Sequence, residues 1–401
     1  MINLRKIIST LLIFDFLALT LLGKGYSKLQ ILEFGLYAHD LLLIILALIC
    51  ILKFNWKQNR VYAIELILAI SIVYVLVSLW KIDFNFTSPK IFYIIRQYAI
   101  VGYFGIFYVI TKFLFEEKKF LKVWLNLIFL LSVGCFLIQL LNIIYLYFCS
   151  DRIIYLTKNA FSPIISLGLI VINSAILASN RYDRKIKLFS SLITFLISIS
   201  IHHDSLYLAL FIIWALYFFI HLSKNKKKFS VIVSIILVGL LFVLLPSFND
   251  VNAHWRLIYW QAVVEQIVEN YFILGDGFGI QYISDKTIEK LNQLMISKGH
   301  INTLITEGEK YTTGAHNSFL SFAQHLGAVS VFLLFYPLII RIKDLKIRDN
   351  TDLIFLILSI SGMSVFSFFN VLLELPHSSS LYWLVFFALI YYNKNTKIEN
   401  I

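Results

Sequence analysis

The chain has 401 residues, of which 59% are hydrophobic and 14% charged, and its mean hydropathy is +0.81. Soluble proteins carry about 25% charged residues, and at ~20 apolar residues per membrane crossing this composition supplies roughly twelve crossings, which excludes a large water-soluble domain, a coiled coil or a disordered chain. The net charge of +12 does not indicate nucleic acid, because such a footprint clusters on one soluble face and here the basic residues lie between apolar segments.

Twelve apolar segments are expected in chain order, at about 7–23, 32–52, 61–80, 91–113, 123–148, 162–179, 186–202, 204–221, 229–246, 317–341, 352–373 and 378–393. The expected fold class is all-α, a polytopic transmembrane helical bundle. The first segment follows Arg5-Lys6 and superficially resembles a signal peptide, but it lacks a clear small-residue cleavage site and reads as the first transmembrane helix. With the N-terminus in the cytoplasm, 23 of the 35 Lys and Arg fall on the cytoplasmic side, 11 on the other and Arg96 inside the fourth segment, as the positive-inside rule requires. Both termini are then cytoplasmic. Asp15 in the first segment and Glu65 in the third either mark an ion path or bind neighbouring helices. Cys50, Cys135 and Cys149 are odd in number and Cys135 falls in mid-span, so no disulfide or metal framework is implied. No external Asp-x-Asp pair points to a divalent-metal site.

Residues 247–316, a polar stretch of 70, separate helices at 1–246 from helices at 317–401. A connection this long in a compact chain is usually functional or disordered, and its pattern argues for order. From His254 onward, Trp260, Val263, Val264, Ile267 and Tyr271 recur at helical spacing, while Gln261, Glu265 and Glu269 take another face, the signature of an amphipathic helix. Leu274-Gly275-Asp276-Gly277-Phe278-Gly279 ends it in a sharp turn; without a preceding strand the glycines are not a dinucleotide loop. A weaker helix is expected at about 285–298, and the segment closes on Thr312-Thr313-Gly314-Ala315-His316-Asn317-Ser318. An ordered external segment over the spans suggests a lid on a cavity.

His316-Asn317 either caps a transmembrane helix, through Asn317 or Ser318, or faces a reaction site. An exposed imidazole is near neutral at pH 7, so His316 is the best general-base candidate outside the membrane; His202, His203, His254, His300, His325 and His377 compete with it. Arg256 either snorkels to lipid phosphates or presents a planar fork to a diphosphate. Arg96, followed by Gln97, lies about six residues into the fourth segment, roughly 9 Å deep at ~1.5 Å per residue, where an Arg usually faces a cavity or a partner. Arg152 and Lys158 add positive charge on the same side.

The run Arg256…Trp260…Ala262, then Leu274 to Gly279, then His316-Asn317-Ser318-Phe319-Leu320…Gly327 resembles the bacterial O-antigen ligase/polymerase family, integral membrane glycosyltransferases of cell-surface polysaccharide assembly. The family's closing motif places a Gly nine residues after His-Asn, as Gly327 stands here. Two positions depart. Ser330 stands where a second Gly is usual, and Ser200-Ile201-His202-His203-Asp204 stands where the family often has Ser-Arg. Arg96, Arg152 or His203 would then replace the missing arginine.

The resemblance implies a donor glycan on undecaprenyl diphosphate, with His316 as the base for the acceptor hydroxyl. Arg256, Arg96, Arg152, His203 and Asn317 would hold the substrate, and neither cofactor nor metal would be needed. It further implies a bacterial cytoplasmic (inner) membrane enzyme, surrounded by lipid and working with a flippase and a chain-length regulator. A polymerase of repeat units is the expectation, a ligase to lipid A-core or another acceptor the near alternative, and a lipid-linked oligosaccharide flippase the alternative from another class.

Overall fold

A computed structural model describes residues 2–22, 26, 29–32, 36–53, 60–85, 88, 90–149, 163–201, 204–222, 251–270, 273–299, 305–312, 314–343, 347 and 350–392. The expected ninth segment, Arg152, His202, His203 and His300 lie outside them.

The described residues are almost entirely helical. In chain order they form α1 (Ile2–Leu22), a short antiparallel ribbon of β1 (Gln30–Leu32) and β2 (Leu36–Tyr37), α2 (Ala38–Lys53), α3 (Tyr62–Trp80), α4 (Lys90–Leu114), α5 (Lys118–Cys149), α6 (Pro163–Ala178), α7 (Arg184–Ile201) and α8 (Asp204–His221). Then follow α9 (Val251–Asn270), α10 (Asp285–Ser297), a 3-10 turn at Glu307–Tyr311, α11 (Ser318–Leu326), α12 (Ala328–Lys343), α13 (Thr351–Phe368) and α14 (Pro376–Tyr391). Three helices, α3, α4 and α13, are each long and apolar enough to cross a membrane, and α11 with α12 makes a fourth if the bent pair is one span. The second expected segment starts six residues late because residues 30–32 and 36–37 pair as strands.

α14 lies at the centre. From Leu381 to Tyr391 every residue is essentially inaccessible, as befits a helix apolar on all sides. It packs against α4, while α13 lies against α6 and α8 and α5 against α6. Phe104 of α4 meets Trp383 at 5.0 Å and Phe387 at 5.7 Å between ring centroids. Gly362 brings α13 onto α8 so closely that a Cβ there would lie 2.5 Å from Ile213 Cδ1.

Glu65 binds a neighbouring helix, whereas Asp15 binds the connection that follows its own. Glu65 accepts from Arg60 at 2.7 Å and from Tyr108 at 2.9 Å, and Asp15 accepts from Tyr26 at 2.9 Å. Arg5, assigned above to a cytoplasmic charge, is buried; it pairs with Glu116 and Glu117 and donates to the Phe113 carbonyl at 3.0 Å. Burial of an Arg requires such partners.

The expected straight tenth span is two helices, bent by 119° at Gly327. The cause is tertiary: Gly327 has φ +85°, and a Cβ there would collide with the Ile273 carbonyl. Gly275 (φ +71°) would likewise drive a Cβ into the Gly327 backbone. Ser330 bonds back to the Gly327 carbonyl through Oγ at 2.6 Å. A left-handed residue with a Cβ is strained by ~1–3 kcal/mol even before the collision. Gly327→Ala and Gly275→Ala should therefore sharply lower folded yield, whereas Gly134→Ala in α5, with nothing within 4 Å of the added Cβ, should be neutral or stabilising by up to ~1 kcal/mol; thermal unfolding of the purified variants measures both.

Candidate functional site

The glycine turn organises one end of the bundle. Its backbone N–H groups from Asp276 to Ile280 find partners: Asp276 and Gly277 donate to the Gln324 and His325 carbonyls at 2.7 and 3.1 Å, which satisfies open carbonyls at the end of α11. Phe278 donates to Ser78 Oγ at 3.2 Å, and Gly279 and Ile280 donate to Gln97 Oε1 at 2.7 and 3.2 Å. Gln97 Nε2 returns to the Ile280 and Tyr311 carbonyls at 2.6 and 3.0 Å. Tyr74 donates to the Leu274 carbonyl. One membrane glutamine thus reads both sides of a turn that belongs to the 247–316 segment.

His325 completes this clasp. Its Nδ1 lies 2.7 Å from the Gly277 carbonyl, so that nitrogen carries the proton, and Nε2 accepts from Tyr282 Oη at 3.4 Å. The ring stacks on Phe278 at 5.2 Å. Both nitrogens are engaged and the residue is buried, which makes His325 structural.

The 247–316 segment has its own small core. Tyr259, Val263 and Ile267 of α9 pack with Ile288 and Leu291 of α10 and with Tyr282, Ile305 and Ala315. The buried face of α9 therefore runs through Tyr259, not Val264, which is 47% exposed; Trp260 still belongs to the contact, donating to the Ala315 carbonyl and meeting Phe368 and Phe369 at 5.5 and 5.7 Å. Tyr271 lies outside the described residues.

This packing brings α9 to His316. Trp255 sets its ring edge-on to the imidazole at 5.6 Å, and Arg256, the next residue, is near enough for its charge to act on it. Burial first, and the Arg256 guanidinium second, push the His316 pKa down to about 4. The imidazole is neutral at pH 7 and able to accept a proton. Its backbone is left-handed, φ +51°, a conformation that His tolerates better than most residues. Asn317 then caps α11, its Oδ1 accepting from the Phe319 and Leu320 N–H groups at 3.1 and 3.0 Å. The oxygen of Asn317, expected to face substrate, is spent on the cap.

Next to the cap, Ser318 is pinned to the α13–α14 connection. Its Oγ donates toward Glu374 Oε2 at 2.7 Å and the Asn370 carbonyl at 3.1 Å, and accepts from Leu372 and Leu373 N–H at 2.8 and 3.1 Å. Burial raises the Glu374 pKa, partly offset by the Ser318 bond and by Arg96. Burial also raises the Tyr282 pKa, with Glu374 adding to the rise and Arg96 opposing it. Arg96 thus faces Glu374 and Tyr282, yet among the described residues it has no hydrogen-bond or ion-pair partner. Glu374, Tyr282, Trp255 and Gln97 were not singled out from sequence; the one available signal was a carboxylate two residues before Pro376 at the start of a span.

His316 with Arg256, and Arg96 with Glu374 and Tyr282, accordingly share one end of the bundle, linked through Asn317-Ser318. No protein-family model matches this chain, and no curated protein is significantly similar to it.

The cap predicts a separation of roles. Asn317→Ala should cost about 1 kcal/mol, while Asn317→Asp keeps an acceptor at the cap and stays close to wild type. His316→Asn should keep the left-handed backbone and the fold. Thermal unfolding of the three purified variants checks the order.

Proposed function

We propose that the chain is a membrane glycosyltransferase that polymerises undecaprenyl-diphosphate-linked repeat units into O-antigen or capsular polysaccharide at the outer face of the bacterial cytoplasmic membrane. The observation that carries this reading is a half-buried, neutral imidazole, His316, beside the Arg256 guanidinium on a folded segment docked at one end of an apolar helical bundle. The reading takes about twelve spans with both termini cytoplasmic, which the Lys and Arg distribution favours.

In this account the acceptor sugar hydroxyl gives its proton to His316 as its oxygen bonds to the anomeric carbon of the donor. The bond from that carbon to the diphosphate oxygen breaks, and the diphosphate leaves with the electron pair. Charge develops on the leaving oxygen, so cations placed there stabilise the transition state more than the ground state. Arg256 and Arg96, the latter without a hydrogen-bond or ion-pair partner among the described residues, are suited to it, with Arg96 filling the place of the arginine missing near His203. A base of pKa about 4 is weak, but a bound diphosphate beside Arg256 offsets the guanidinium charge and raises the imidazole pKa toward the working range. Donor binding therefore switches the base on. The 247–316 segment, packed on α11, excludes water that would hydrolyse the donor.

The test is a gel of surface glycan from cells lacking the gene and complemented with variants. A polymerase leaves a single repeat on the anchor; long chains stranded on the carrier lipid indicate a ligase, and repeat units trapped at the cytoplasmic face indicate a flippase. His316→Asn should abolish chain lengthening at normal protein abundance, and Arg256→Lys should also impair it, because Lys keeps the charge and loses the planar fork. In the free enzyme the acid limb of kcat/KM should fall nearer pH 4 than 6.5, since a lowered pKa keeps His316 neutral further into acid; Arg256→Gln should move that limb upward.

A further inference from the structure

At the end of the bundle away from His316, α6, α7 and α8 form a cavity of about 560 Å³ whose lining combines Leu177, Leu188, Leu192 and Phe218 with Arg184, Lys187, Tyr217 and His221. It is the opposite end because the first turn of α8 meets the α13–α14 connection, Asn370 Nδ2 donating to Ser205 Oγ at 2.8 Å, whereas His221 closes the last turn of α8. The volume falls in the ~300–1,000 Å³ range of small-molecule sites.

We propose that this cavity binds an anionic glycerophospholipid, one acyl chain between the helices and the phosphate at Arg184 and Lys187. Charge complementarity carries the assignment. Arg181, Arg184, Lys185 and Lys187 crowd the start of α7. Asp183 is the one carboxylate among residues 177–203, and its Oδ1 is occupied by the Ile186 N–H at 2.8 Å. Lys187 is held in place: its ammonium donates to the Leu177 carbonyl at 2.7 Å and to Tyr217 Oη at 3.2 Å, and lies 5.2 Å from the Tyr217 ring centroid. An ammonium has three donors, so one N–H is left for a phosphate oxygen. Exposed Arg184, one turn earlier, has no partner among the described residues and supplies a fork for the same oxygens.

The outer wall decides for a lipid over a soluble anion. Leu188 and Leu192 are 67% and 52% exposed, so the cavity opens sideways through apolar side chains, and its ligand is apolar along its length and charged at one end. Basic pockets between transmembrane helices take anionic headgroups in this way. The site does not rest on the glycosyltransferase reading and survives its failure.

The experiment is native mass spectrometry of the full chain titrated with phosphatidylglycerol or phosphatidylcholine of the same acyl composition. Phosphatidylglycerol should bind more tightly, with a loss of ~5-fold for each charge removed. Arg184→Gln, an exposed change that leaves the fold alone, should lose that factor, and Arg184→Gln with Lys187→Gln should bring both lipids to the same affinity. Leu192→Trp, which fills the cavity, should weaken both. Equal binding of the two lipids by the wild type, or unchanged phosphatidylglycerol binding in Arg184→Gln, overturns the proposal. So does displacement of phosphatidylglycerol by equimolar undecaprenyl phosphate, or a disulfide between cysteines placed at 192 and 236, which would show that residues 223–250 fill the space.

Discussion

The arrangement depends on one backbone clasp, the turn 273–280 closed onto the break between α11 and α12. Non-helical backbone among apolar helices persists only where its polar groups are met, because an unpaired N–H away from water costs several kcal/mol. Here the N–H groups from Asp276 to Ile280 are shared among the end of α11, Ser78 and Gln97. Glycine at 275 and 327, both at positive φ, lets the two segments approach to backbone contact, while Gly277 and Gly279, also at positive φ, lie against the side chains of Tyr74 and Ile94. Neither half is stable in this form without the other: the turn supplies the donors that finish α11, and the bend at Gly327 supplies the space for the turn.

What the clasp positions is the opposite end of α11. A short helix fixed at its C-terminus by the turn and at its N-terminus by the Asn317 cap leaves His316 little freedom, and its left-handed φ is held by neighbours rather than chosen locally. α9 then contributes Trp255 against the ring and Arg256 beside it. The first residue of α11, Ser318, reaches Glu374 and so connects the imidazole to the carboxylate that faces Arg96. His316, Arg256 and Arg96 are set by three separate stretches of chain, with the clasp as their common support.

Much of this was legible in the sequence, and the losses have physical causes. Composition and periodicity gave the helices, because burying an apolar face leaves a pattern in the chain. The glycine run was readable as a sharp turn, but its partners were not, since Ser78 and Phe278 stand 200 residues apart and no single-sequence pattern encodes such a pairing. The break at Gly327 was missed for the same reason: apolar residues continue on both sides, and the bend follows from contact with Ile273. Arg5 was counted only for its charge, because the carboxylates it pairs with, Glu116 and Glu117, lie more than a hundred positions away. The face of α9 was read through Trp260 and Val264 from spacing alone; Tyr259 proved more deeply buried.

The clasp is open to direct measurement by hydrogen exchange of the full chain in detergent or nanodiscs. The amides of Asp276, Gly277, Phe278, Gly279 and Ile280 should exchange as slowly as those of the bundle helices, despite lying in a turn, and Gln97→Ala should speed Gly279 and Ile280 most. Exchange of these five amides at the rate of an open loop would contradict the account, for His316 and Arg256 would then have no fixed platform.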